Sequence, residues 1–140
     1  MATLFTRIIR GELPGRFVWR DDRAVALLTI APINPGHTLV VPVAEVDHWI
    51  DLDDATMAHL GTVAKTIGRA LQEAFRPARV AMIIAGLEVP HTHLHVFPIE
   101  SERDISFARA DHSASPDALD DAARRIREAL LNMGHQEVSG

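Results

Sequence analysis

The chain has 140 residues, 47% of them apolar and 24% charged, with a net charge of −5 and no cysteine. That length and balance fit one globular domain over 1–140 and exclude a disordered chain. An acidic chain without a basic face argues against a nucleic-acid polymer as partner, and the missing cysteines exclude disulfides, thiolate zinc sites and thiol nucleophiles.

The opening residues, MATLFTRIIRGELPGR, carry charge inside a short apolar stretch and have no signal-peptide core. No segment approaches the roughly 18 apolar residues needed to cross a bilayer. A cytoplasmic protein with no membrane partner is expected. LFTRIIRG (4–11) puts Leu4, Phe5, Ile8 and Ile9 on one helical side, with Thr3 or Thr6 to cap it and Gly11 to end it. FVWR (17–20) and AVALLTI (24–30) read as strands, and Asp21, Asp22 and Arg23 suit the turn between them. APINPG (31–36) is a loop, and HTLVVPV (37–43) is a third strand that Pro42 stops or places at an edge.

Leu52, Met57, Leu60, Val63, Ile67, Leu71 and Phe75 follow helical spacing, so 52–75 is a long helix, with Asp51 as N-cap and Pro77 after its end. VAMII (80–84) and VPHTHLHVFPI (89–99) are strands, and AGLE (85–88) is short enough for a tight hairpin. Residues 100–114 are polar and irregular. Ser115 as cap and Pro116 at the first position open a final helix that ends near Gly134. Residues 136–140 are expected to form a flexible tail. The order predicts an α+β fold: about five mostly antiparallel strands with a short N-terminal, a long central and a C-terminal helix.

His91, His93 and His95 occupy every second position of VPHTHLHVFP. On a strand they project to one side, while Thr92, Leu94 and Val96 project to the other. Three imidazoles in an otherwise Val/Leu/Phe strand face mutual repulsion if they charge together. One reading is a solvated face. A second is a metal site, opposed by the roughly 6.5–7 Å between same-side strand residues. A third is a phosphate site, where one ring attacks phosphorus while its other nitrogen is held by a hydrogen bond, and the neighbours serve the leaving group and the phosphoryl oxygens.

HTHLHVF resembles the His-φ-His-φ-His-φ-φ signature of the histidine triad (HIT) superfamily. LFTRIIRGELPGRFVWRDDRAVALLTIAPINPGHTLVVP is similar to that family's N-terminal half, so the match runs from about Leu4 to Pro98. The small bacterial Hint-like branch is the most similar. The resemblance implies a nucleotide hydrolase, phosphoramidase-like and free of metal and cofactor. It releases a purine nucleoside monophosphate through a covalent nucleotidyl-histidine. His93 is then the nucleophile, and His95 serves phosphate or leaving group. His91 orients His93 through its backbone carbonyl, and His37 packs beside the triad.

The resemblance also implies that base and ribose bind among Leu4, Phe5, Ile8, Leu13, Leu27, Leu28, Thr29 and Ile30. Phe5 and Leu28 are the preferred pocket candidates, and Ile8 and Leu27 read equally as core. Thr29 stands where the family often has aspartate, Leu87 where it often has glutamine, and Glu88 where some members carry a hydroxyl. Ser106, Phe107 and Arg109 are candidates to lid the cleft. A homodimer is implied. A noncatalytic nucleotide-binding module and a histidine metal protein are the alternative functions.

Overall fold

A computed structural model describes residues 1–139. Helix α1 spans Leu4–Ile9, and strands β1 (Phe17–Arg20), β2 (Ala24–Leu28) and β3 (Thr38–Pro42) follow. Then come helix α2 (Asp54–Phe75), strands β4 (Arg79–Ile83) and β5 (Leu94–Ile99) and helix α3 (Pro116–Asn132). The sheet order is β1-β2-β3-β5-β4 with every neighbouring pair antiparallel. This is the predicted α+β architecture.

The strands sort their residues by parity. Ala24, Ala26 and Leu28 of β2, Val40 of β3 and Leu94 and Val96 of β5 face α2 and α3, where they join Leu60, Ile67, Leu71, Ile126 and Leu130 in the main core. Val25, Leu27, Leu39 and Val41 face the other way, under Phe5 of α1. That second face is thinly covered, by one short helix.

Local chemistry sets the element ends. Thr3 caps α1, its hydroxyl accepting from Thr6 N–H, and Ser115 caps α3 ahead of Pro116 in the same way. Asp53, not the expected Asp51, caps α2 by accepting from Thr56 N–H at 2.6 Å; Asp51 ends a 3-10 turn over Trp49–Asp51. Gly36, at φ +97°, turns the chain into β3, and a Cβ there would stand 2.8 Å from Phe75 and 3.0 Å from Leu71.

Two further expectations are corrected. AGLE does not make a tight hairpin. β4 stops at Ile83 and β5 starts only at Leu94, because residues 89–92 are pulled onto the loop after β3, where Thr92 N–H and Oγ1 both donate to Val46 O. Residues 135–139 are not the loose tail expected, and Gly140 lies outside the described residues. Glu137 O accepts from Arg20 N–H at 2.8 Å, Ser139 N–H donates to Val18 O, and Arg127 Nε donates to Ser139 O. This stretch lies along the outer edge of β1, and Val138 packs on the main core.

Candidate active site

Only His95 of the three alternating histidines sits in a strand; His91 and His93 belong to the irregular approach to β5. They are therefore not one row on one strand face, and each has its own environment. His91 is completely buried, with Nε2 2.7 Å from Pro42 O and Nδ1 2.7 Å from Thr3 Oγ1. A carbonyl only accepts, so Nε2 carries the proton and Nδ1 accepts from the Thr3 hydroxyl. His91 thus ties α1 to the end of β3. Burial, opposed by the Pro42 hydrogen bond and the Glu45 charge, leaves its pKa below the usual histidine value.

The same logic fixes the next ring. His93 Nδ1 lies 2.7 Å from His91 O, so Nδ1–H donates to that carbonyl. The lone pair is left on Nε2. His93 is 6% exposed, with the Phe5 ring centroid 5.0 Å from its own.

A second relay runs in from the loop before β3. Ile33 N–H donates to His37 Nδ1 at 3.0 Å, so the His37 proton sits on Nε2 and donates to His95 Nδ1 at 2.9 Å. The His95 proton is therefore on Nε2. Burial first, and then the proximity of His95, hold the His37 pKa down to about 3. Burial first, and then His93, hold His95 down to about 4. Both rings are neutral at pH 7. His37 packs on Phe97 at 4.8 Å between centroids, and His95 has Phe107 at 4.7 Å on its open side.

The site therefore holds one imidazole with a free, oriented nitrogen lone pair beside a second presenting an N–H. An electrophile such as phosphorus fits the first, and its oxygens or leaving atom fit the second. Among the described residues, no three His, Asp or Glu side chains are arranged to hold one metal ion.

Of the expected nucleotide-binding residues, Phe5 touches the histidines, and Ile8 packs on the same cluster. Leu28 does not join them. It shares the parity of Ala24 and Ala26 and faces the helices, whereas Leu27 is the β2 residue on the triad face. Leu28 and Thr29 line a cavity of about 410 Å³ between the 32–37 loop and the start of α3. Thr29 Oγ1 accepts from Ala31 N–H, within its own loop. Ile30 is exposed past the end of β2, and Glu88 is exposed in the segment before the triad. Sequence reasoning missed the roles of Thr3 and Ile33 N–H. Thr3 is 88 positions from His91, and no local pattern joins them.

The HIT domain family model matches residues 10–102. A HIT-like protein of Saccharolobus solfataricus is 32% identical over 104 residues, covering 71% of this chain and 75% of the relative. A zinc-bound histidine triad family protein from Mycobacterium smegmatis has a similar structure, with TM-score 0.82 and 28% identity over 95% of this chain and 96% of that one. A hypothetical histidine triad nucleotide-binding protein from Sulfolobus tokodaii gives TM-score 0.80 and 27% identity over 92% of each chain. Signature, sheet order and these likenesses agree, and the chain belongs to the HIT domain family.

Proposed function

We propose that the protein hydrolyses nucleoside phosphoramidates or related derivatives of a purine nucleoside monophosphate through a nucleotidyl-histidine, using no metal or cofactor. The observation that carries this is the His93 ring, whose Nδ1–H is held by His91 O at 2.7 Å, which leaves Nε2 as a fixed lone pair. His93 Nε2 attacks phosphorus and the P–N bond breaks. Its electron pair stays on nitrogen, which departs as an amine carrying a proton from solvent. The modified His93 is cationic and is stabilised by the His91 carbonyl. Water then attacks phosphorus, the Nε2–P bond returns its pair to the ring, and a proton goes to solvent.

His95 Nε2–H donates a hydrogen bond to the phosphoryl oxygens and the leaving atom. With its pKa held to about 4, His95 acts here as a neutral donor, and His37 fixes its tautomer. Base and ribose lie toward Phe5, Ile8, Leu27 and Leu39. Ile30 and Thr29 border them, and Glu88 lies on the phosphate side.

The test is turnover of adenosine 5′-phosphoramidate by wild type and His93→Ala, with and without EDTA, together with mass detection of an adduct at His93 after rapid quench. His93→Ala is expected to lose about 10⁴-fold in kcat. Normal turnover by the variant, or loss of wild-type turnover in EDTA, would overturn the reading. A noncatalytic nucleotide-binding module is the second reading. It is favoured by Thr29, whose hydroxyl accepts within its own loop and whose neutral side chain stands where the family resemblance implies an aspartate. Nucleotide binding with neither adduct nor turnover would select it.

We further infer a cytoplasmic homodimer with no membrane or nucleic-acid partner. Among the described residues, no helix is long and apolar enough to cross a membrane. The dimer is supported by the unpaired outer edge of β4. Beside it, Gly61, Ala64, Gly68, Val80 and the half-exposed Met82 line a shallow apolar groove between α2 and β4. Sedimentation at micromolar concentration tests it.

A further inference from the structure

Four rings stand in a row across the site. Phe5 lies 5.0 Å from His93, His93 5.0 Å from His95, and His95 4.7 Å from Phe107, centroid to centroid. The outer two differ in kind. Phe5 is 5% exposed and belongs to the apolar cluster beneath α1. Phe107 is 44% exposed and belongs to neither cluster, so core packing does not account for a phenyl ring at that position.

Its mount is nonetheless built firmly. Phe107 begins a 3-10 turn over Phe107–Arg109, closed by Arg109 N–H to Ser106 O and Ala110 N–H to Phe107 O. On one side Asp104 accepts from Glu100 N–H at 2.7 Å and pairs with Arg109 at 3.4 Å. On the other, Asp111 N–H donates to Pro32 O at 2.8 Å, tying the turn to the loop that carries His37. An exposed aromatic ring held in place by backbone bonds on both sides is pre-ordered for contact, with little entropy left to lose on binding.

The row also has a direction. With phosphorus on His93 Nε2 and the nucleoside toward the apolar Phe5 end, the remaining substituent on phosphorus extends over His95 toward Phe107. We propose that Phe107 is the platform for the leaving group, and that the site favours nucleoside phosphoramidates of flat, uncharged, apolar amines of the aryl or arylalkyl class. This rests on the reading of His93 as nucleophile. The amine leaves as already written, with the P–N pair and a proton from solvent; Phe107 takes no part in bond making and contributes a stacking face.

The experiment compares kcat/KM for unsubstituted and N-benzyl adenosine 5′-phosphoramidate in wild type, Phe107→Ala and Phe107→Leu. The ratio of the two cancels any loss common to both substrates, including a shift of His95. Wild type is expected to prefer the N-benzyl substrate. Phe107→Ala is expected to cut that preference about fivefold, mainly through KM, with Phe107→Leu between them. An unchanged ratio in Phe107→Ala overturns the proposal while leaving the His93 chemistry standing, because the unsubstituted substrate is still consumed. Failure of wild type to consume either substrate overturns both.

Discussion

Acidification below pH 6.5 is expected to destabilise the fold through His37 and His95 in particular. In the unfolded chain each titrates near 6.5, whereas in the folded protein the values are about 3 and about 4. Because the folded values are depressed, the folded state refuses protons that the unfolded chain accepts. The stabilisation is complete above pH 6.5 and is lost as the pH falls toward 4. Between pH 7 and pH 5 each ring of the unfolded chain goes from about one-quarter to almost fully protonated, and integrating that uptake gives about 2 kcal/mol per ring and about 4 kcal/mol for the pair. His91, also held below its ordinary value by burial, adds a loss of the same sign.

Urea unfolding at pH 7 and pH 5 reads this difference directly. His37→Asn removes one of the two titrations, so the gap between the two pH values should shrink by about 2 kcal/mol, whatever the variant's absolute stability. A wild-type gap under 1 kcal/mol, or a gap that His37→Asn leaves unchanged, would show that these rings are not held neutral by burial.

Two further substitutions probe the supports of the site. Thr3→Val removes the α1 cap and leaves the fully buried His91 Nδ1 without a donor, so a loss of about 2–4 kcal/mol is expected in urea unfolding. A loss below 0.5 kcal/mol would mean that the Thr3–His91 bond is idle. Gly36→Ala places a Cβ 2.8 Å from Phe75 at a φ of +97° and should cost about 2–4 kcal/mol by the same measurement. It should also weaken adenosine phosphoramidate turnover, since His37 is the next residue; full stability and activity would contradict the contact.

Much of this fold is legible in sequence because short-range rules govern it. The apolar stripe of α2, the Ser115-Pro116 start of α3 and the Val/Leu runs of the strands each declare their element within a few residues. The histidine positions are equally plain. Their individual roles are not, because each is set by a partner far along the chain: Thr3 and Pro42 for His91, and Ile33 with His37 for His95. Leu28 shows a different limit. AVALL (24–28) is apolar throughout, so its phase cannot be read from alternation; the partner strand decides that Leu27 and not Leu28 meets Phe5. The strand reading of 89–93 gives way for a comparable reason. Alternation survives in the sequence, but hydrogen bonds to the loop after β3 draw those residues off the ladder.

The stretch from Glu137 to Ser139, laid against β1, also governs how this sheet can grow. A five-stranded sheet offers two rims on which a foreign strand can polymerise, and a chain with both rims open can add neighbours without end. Here one rim is occupied by the chain's own residues, which leaves β4 as the open rim among the described residues. In the proposed homodimer, two such sheets meeting rim to rim at β4 would exhaust each other, and growth would stop at the pair. Removing residues 135–139 would open the second rim, and sedimentation of the shortened chain should then show species larger than the proposed pair.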